Sequence, residues 1–165
     1  MNDKLLEFTD IIDEEIQAYE SLGELYKMKQ TILVQGKSGA LWDIDAQIID
    51  ASNVLKTLNE KRKQIAGYLG DENLTMSQAI EKAKEADKKL AEKMTTQRTK
   101  LKILSKSLTL QEKTNVTLIK HGLTMVHKTL DIIMNVVAPH SKQYNKDGKN
   151  VDVDKGLISS VVEEA

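Results

Sequence analysis

The sequence predicts an all-α protein: an elongated antiparallel helical hairpin plus a long third helix, a three-helix, coiled-coil-like bundle, with a C-terminal tail. Three observations carry this reading. Leu41, Ile44, Ile48, Ala51, Leu55, Leu58, Arg62, Ile65 and Leu69 step by threes and fours, which places them on one side of an α-helix as a seam about 42 Å long. Further apolar rows with the same period precede this seam. One proline, one tryptophan and one phenylalanine in 165 residues are fewer turn formers and aromatics than a β-sandwich or an α/β enzyme carries. Helices of mixed polarity gain most of their stability from packing, so the function of this chain lies in what its helices hold or expose.

Helix one is expected over about 3–35. Leu5, Ile12, Tyr19, Tyr26 and Leu33 recur every seven residues, and Ile11, Ala18, Leu25 and Ile32 form a second row beside them, together a broad apolar face. Gln35-Gly36-Lys37-Ser38-Gly39 closes it with two glycines available for positive φ. Helix two, about 39–69, follows after so short a loop that the two are antiparallel neighbours. After the break Gly70-Asp71-Glu72-Asn73, Thr75 and Gln78 form a capping-box pattern with Leu74 as its staple residue. That pattern starts a helix over about 75–86. A long helix over about 88–137 comes next, ending before Pro139, which disfavours helix for the residue preceding it. At the helical rise it would be about 75 Å long against about 50 Å for helix one. The expected organisation is a helical domain, 1–138, and a flexible polar tail, 139–165, in which Leu157, Ile158, Val161 and Val162 give a short amphipathic pattern.

Charge is unevenly placed. Up to Glu24 there are eight acids and one lysine, whereas from Lys88 to Lys106 there are seven bases and one acid, Glu92. Up-down-up packing makes helix one and the long helix parallel and sets these stretches side by side. Within the seam of helix two, Arg62 needs a partner or a path to water, because a lone guanidinium in a dry seam costs several kcal/mol. Folding the hairpin about Lys37 brings Arg62 within a turn of Glu15. A structural ion pair and a snorkelling arginine are the two alternatives.

Most chemistry is excluded. The chain has no cysteine, which removes thiol catalysis, zinc–thiolate sites and disulfides and fits a reducing cytoplasm. Gly36-Lys37-Ser38 resembles the end of a phosphate-binding loop, but Thr31 stands where its first glycine belongs and a helix precedes it instead of a strand. Asn150, Asp152 and Asp154 alternate like a calcium loop, but Lys155 and Val161 occupy the places of its turn glycine and bidentate glutamate. His121, His127 and His140 lack metal-ligand spacing. No catalysis, cofactor or metal is expected. The basic stretch Lys88–Lys106 suggests a nucleic-acid accessory protein, yet no aromatic lies between Leu69 and Gln143 to stack on bases. The start Met-Asn-Asp-Lys is no secretory n-region and no apolar run approaches the ~20 residues of a membrane span, so a cytoplasmic protein without membrane insertion is expected.

The long helix outruns its partners, and its far end is apolar. Leu123, Met125, Val126, Leu130, Ile132, Ile133, Met134, Val136 and Val137 are too many to leave in water as one patch. A second copy of the chain, the tail or a client helix can cover them, and the methionines suit a surface that adapts to more than one partner. A self-associating coiled-coil scaffold is one reading.

Several local patterns join up into another. Lys29 opens Lys-x-x-x-Leu-Val, the long seam ends in Leu58-x-x-x-Arg62, and Leu69-Gly70 leads into a Leu-Thr-Met-Ser turn. Then come Leu110, Asn115 with Leu118-Ile119, and Tyr144-Asn145-Lys146-Asp147-Gly148. In order and spacing, over roughly Leu5 to Gly148, this resembles the FlgN family of flagellar export chaperones. The resemblance implies a chaperone that binds C-terminal helical segments of hook–filament junction proteins, prevents their premature assembly and delivers them to the export gate. On that reading Leu123, Val126, Leu130, Ile133, Met134 and Val137 bind the client, the tail residues Leu157–Val162 add contacts, and Tyr144 inherits export-gate docking from the family's Tyr-x-x-x-Gly element. A homo-oligomer remains an alternative for the free protein.

Overall fold

The apolar rows become packed faces. The computed structural model describes residues 2–137, 143–144 and 150–151. Its elements are α1 (Asn2–Val34), a 3-10 turn (Ser38–Ala40), α2 (Leu41–Tyr68), α3 (Met76–Ala86), α4 (Lys88–Val137), β1 (Gln143–Tyr144) and β2 (Asn150–Val151). The all-α class holds, with helix ends within a residue or two of those read from the sequence. The chain divides into two units, one up to Lys120 and one from His121 onward.

In the first unit α1 and α2 are antiparallel. Lys4 sits 5.2 Å from the centre of the Tyr68 ring, Glu15 meets Arg62 at 2.9 Å, and Lys29 meets Asp45 at 2.6 Å. All nine heptad positions of the second helix are buried or half-buried. Leu69, the last of them, lies one residue beyond the end of α2. The connection is shorter in special backbone than expected. Only Gly36 takes positive φ, at 65°, while Gly39 lies inside the 3-10 turn. Lys37 donates to the Ile32 carbonyl at 3.1 Å and Gly36 to that of Leu33 at 3.2 Å, a Schellman close that satisfies carbonyls left over at the end of α1. The same motif ends α2, with Gly70 at φ 111° and the Asp71 amide on the Ala66 carbonyl at 3.2 Å.

α3 starts on its capping box. The Gln78 amide donates to Thr75 Oγ1 at 3.3 Å, and the Thr75 amide donates to Gln78 Oε1 at 2.8 Å. The amphipathic face of α3, Ala79, Ile80 and Ala83, enters a core with Leu5, Phe8, Ile12, Ile16, Ala66, Leu69, Leu74, Leu90, Ala91 and Met94. The core is therefore made by four helices, with the short one sealing the gap between the start of α1 and the end of α2. Asp87 separates α3 from α4. Its extended backbone (φ −155°, ψ 114°) breaks the helix, and its Oδ1 accepts from the Lys89 amide at 2.8 Å, so it caps the next one.

α4 runs parallel to α1 in this unit. Lys93 pairs with Asp13 at 2.8 Å and Lys100 with Glu20 at 2.7 Å, so the basic start of α4 does lie along the acidic start of α1.

The second unit contains α4 from His121 and the pairing of β1 with β2, antiparallel with Gln143 opposite Val151 and Tyr144 opposite Asn150. These strands were no part of the elements read from the sequence; Asp147-Gly148 between them is a hairpin signal masked by the polar composition around it. Leu157, Ile158, Val161 and Val162, and the rejected calcium-loop residues Asp152 and Asp154, lie outside the described residues. For Val137 and Tyr144 only the backbone is described.

Candidate functional site

α4 carries two heptad rows with different fates. Leu90, Met94, Gln97, Leu101, Leu104, Leu108, Gln111, Asn115 and Leu118 form the first and are buried or half-buried throughout. The sequence reading missed this seam because three amides interrupt it. Their strict steps of three and four were the available signal. Gln97 Nε2 donates to the Thr9 carbonyl at 3.0 Å and to Asp13 Oδ1 at 2.6 Å, and Asn115 Nδ2 donates to the Tyr26 carbonyl at 3.0 Å. Polar residues in a seam fix register at a cost in stability. That cost is visible here: the buried Gln97 Oε1, Gln111 Oε1 and Asn115 Oδ1 have no hydrogen-bond partner among the described residues.

Charge along α1 is tuned by the same contacts. Partial burial works against the Asp13 carboxylate, but hydrogen bonds from Lys93 and Gln97 outweigh it and hold its pKa below the ordinary aspartate value. For Glu15 the balance is reversed. Burial pushes its pKa above the ordinary glutamate value, and the attraction and hydrogen bond of Arg62 offset only part of that. Burial, with Glu112 nearby, also raises the Tyr26 phenol. Because Lys93 and Lys100 are engaged with Asp13 and Glu20, the basic stretch is partly neutralised as a nucleic-acid surface.

Beyond His121 the second row takes over. Leu123, Val126, Leu130 and Ile133 are exposed, and so are Met125, Ile132, Met134 and Val136. Their relative exposures run from 38% for Met134 to 73% for Val136, well above what packed side chains keep. Eight large apolar side chains are thus exposed on one helix, more than the singly scattered apolar residues that a protein surface ordinarily shows. Of the residues singled out from the sequence, Leu123, Val126, Leu130, Ile133 and Met134 share this open face. Met125, Ile132 and Val136 belong to it as well and were left out of the candidate site. Glu15 and Arg62 meet in the α1–α2 interface. Trp42, at the start of α2, is also exposed, at 84%.

The family model described as FlgN protein matches residues 1–152. The chain belongs to the FlgN family. Membership makes it a flagellar export chaperone, a protein that binds flagellar substrate proteins, and the family is one of chaperones, not of enzymes. The match includes the open face of α4 and extends past Tyr144. No curated protein and no solved structure matches the chain. No helix among the described residues is long and apolar enough to cross a membrane.

Proposed function

We propose that this FlgN protein works in the cytoplasm by capturing C-terminal helical segments of hook–filament junction proteins on the apolar face of α4. Within that face we assign client contact to Leu123, Val126, Leu130, Ile133 and Met134. Capture hides surfaces that would otherwise assemble too early, and the loaded chaperone then delivers its client to the export gate through Tyr144. The observation that carries the reading is the run of exposed apolar side chains from Leu123 to Val136 in a helix whose earlier heptads are buried. An amphipathic client helix relieves such a face by laying its own apolar side on it. The role of Tyr144 rests on the family resemblance.

The two roles separate by mutation. Leu130→Asp with Ile133→Asp should abolish binding of a C-terminal peptide from a junction subunit in calorimetry, since each carboxylate would be buried without a partner. Tyr144→Ala should leave that binding intact and weaken association with the export gate. Wild-type affinity in the aspartate variant would move the client site elsewhere. Loss of self-association in sedimentation, with no effect on the peptide, would instead favour a second copy of the chain on this face.

A further inference from the structure

The open end of α4 is wider than one helix needs. Let the first row be the one buried in the first unit, Leu90 through Leu118; in the same register it continues as Gly122, Met125, Thr129, Ile132 and Val136. The second row is Leu123, Val126, Leu130 and Ile133. Traced back along α4, the second row meets Val116 and Ile119 and then Glu112, Thr109, Ser105, Lys102 and Arg98. So the second row is polar up to Glu112 and apolar after it. At 3.6 residues per turn the centres of the two rows stand about 110° apart. This is close to the right angle at which a corner helix of a four-helix bundle meets its two neighbours.

Width supports the same count. A helix that packs on one side has an apolar stripe of about 100°. From Ile132 and Met125 across Val136, Ile133, Val126, Leu130 and Leu123 to Met134 the arc is about twice that, by the same helical geometry. Both rows are open to a similar degree, with Met125 at 53% and Leu123 at 56%. A single helix about 10 Å across laid on either row leaves the other in water. The first row is moreover the continuation of a face that already takes a helix in the first unit.

We propose that the client presents two helical segments of one chain, packed side by side on the two rows of α4 between Leu123 and Val136, so that the chaperone supplies one helix of a composite bundle. This rests on the client-binding role argued above and adds the form of the client: a pair of amphipathic helices, neither of which binds well alone.

The test uses the full chain and a hook–filament junction subunit of the same organism, both intact and cut into its separate C-terminal helical segments. Two variants disable one row each, Met125→Asp with Ile132→Asp and Leu123→Asp with Leu130→Asp. Circular dichroism checks that each remains helical. Each variant should weaken binding of the intact subunit by about a hundredfold or more. On the unsubstituted protein, subunit addition should shift the methyl signals of Met125 and Ile132 together with those of Leu123 and Leu130. Either segment alone should bind at least about tenfold more weakly than the two joined. If only one row responds in both measurements, the client is a single helix and the proposal fails while the binding face stands. If neither row responds, the face itself is not the client site, and the function proposed for it fails as well.

Discussion

Arg62 Nε donates to Glu15 Oε1 at 2.9 Å across the α1–α2 interface, and Arg62 Nη2 donates to Asn59 Oδ1 at 2.7 Å. The Glu15 side chain keeps 6% of its exposure and that of Arg62 30%. Such a pair restrains the register of the hairpin more than it stabilises it, because both ions give up water to form it. Removing one partner leaves the other unmatched in the interface. Arg62→Ala and Glu15→Ala should each cost about 1–3 kcal/mol, at the low end for a pair still reached by solvent on one side. A double-mutant cycle in urea should show coupling, and Arg62→Leu with Glu15→Leu should recover most of the loss. Additive, near-neutral single effects would show that the contact restrains nothing.

The acids at positions 13 and 15 should titrate in opposite senses. The folded pKa of Glu15 is raised, so its contribution is fully present below the ordinary glutamate value of 4.5 and is lost as pH rises through the raised value. The folded pKa of Asp13 is lowered, so its contribution is present above the ordinary aspartate value of 3.8 and is lost as acid takes pH through the lowered value. Carboxyl carbon NMR should place Glu15 above ordinary glutamate and Asp13 below ordinary aspartate. Stability relative to Glu15→Gln should fall with rising pH across the first window, and relative to Asp13→Asn should fall with falling pH across the second.

The amides of the α4 seam should differ in what they contribute. Gln111 lines a cleft of about 410 Å³ with Gly23 and Leu108, and its buried Oε1 has no hydrogen-bond partner among the described residues. Gln111→Leu removes that unmet acceptor and should raise stability by about 1 kcal/mol. Gln97→Leu removes two donated hydrogen bonds, to the Thr9 carbonyl and Asp13, and should cost about that much or more. Urea denaturation of the two variants distinguishes them by sign.

The starts of α3 and α4 each rest on a short side-chain cap. Thr75→Ala breaks the reciprocal box with Gln78, and Asp87→Ala removes the acceptor for the Lys89 amide. Each should cost about 1 kcal/mol. Hydrogen exchange should report faster opening in the first turn of α3 for one variant and in that of α4 for the other.

Features that depend on a few neighbouring residues could be read directly from the chain. The seam of α2, the capping box at Thr75, the turn at Gly36 and the proximity of Arg62 to Glu15 all follow from helical period and loop length, which act locally. The apolar end of α4 was legible as apolar for the same reason. Tertiary structure decided which apolar positions are covered. Leu108 and Leu110 look alike in sequence, yet Leu108 is buried against α1 and Leu110 is exposed, because only one of them faces another helix. It also decided that Gln97 and Asn115, polar by composition, are buried, since hydrogen bonds to α1 offset their desolvation. Met125 and Ile132 continue a buried row but are open, because burial belongs to a pair of surfaces and the periodicity of one helix describes only its own side.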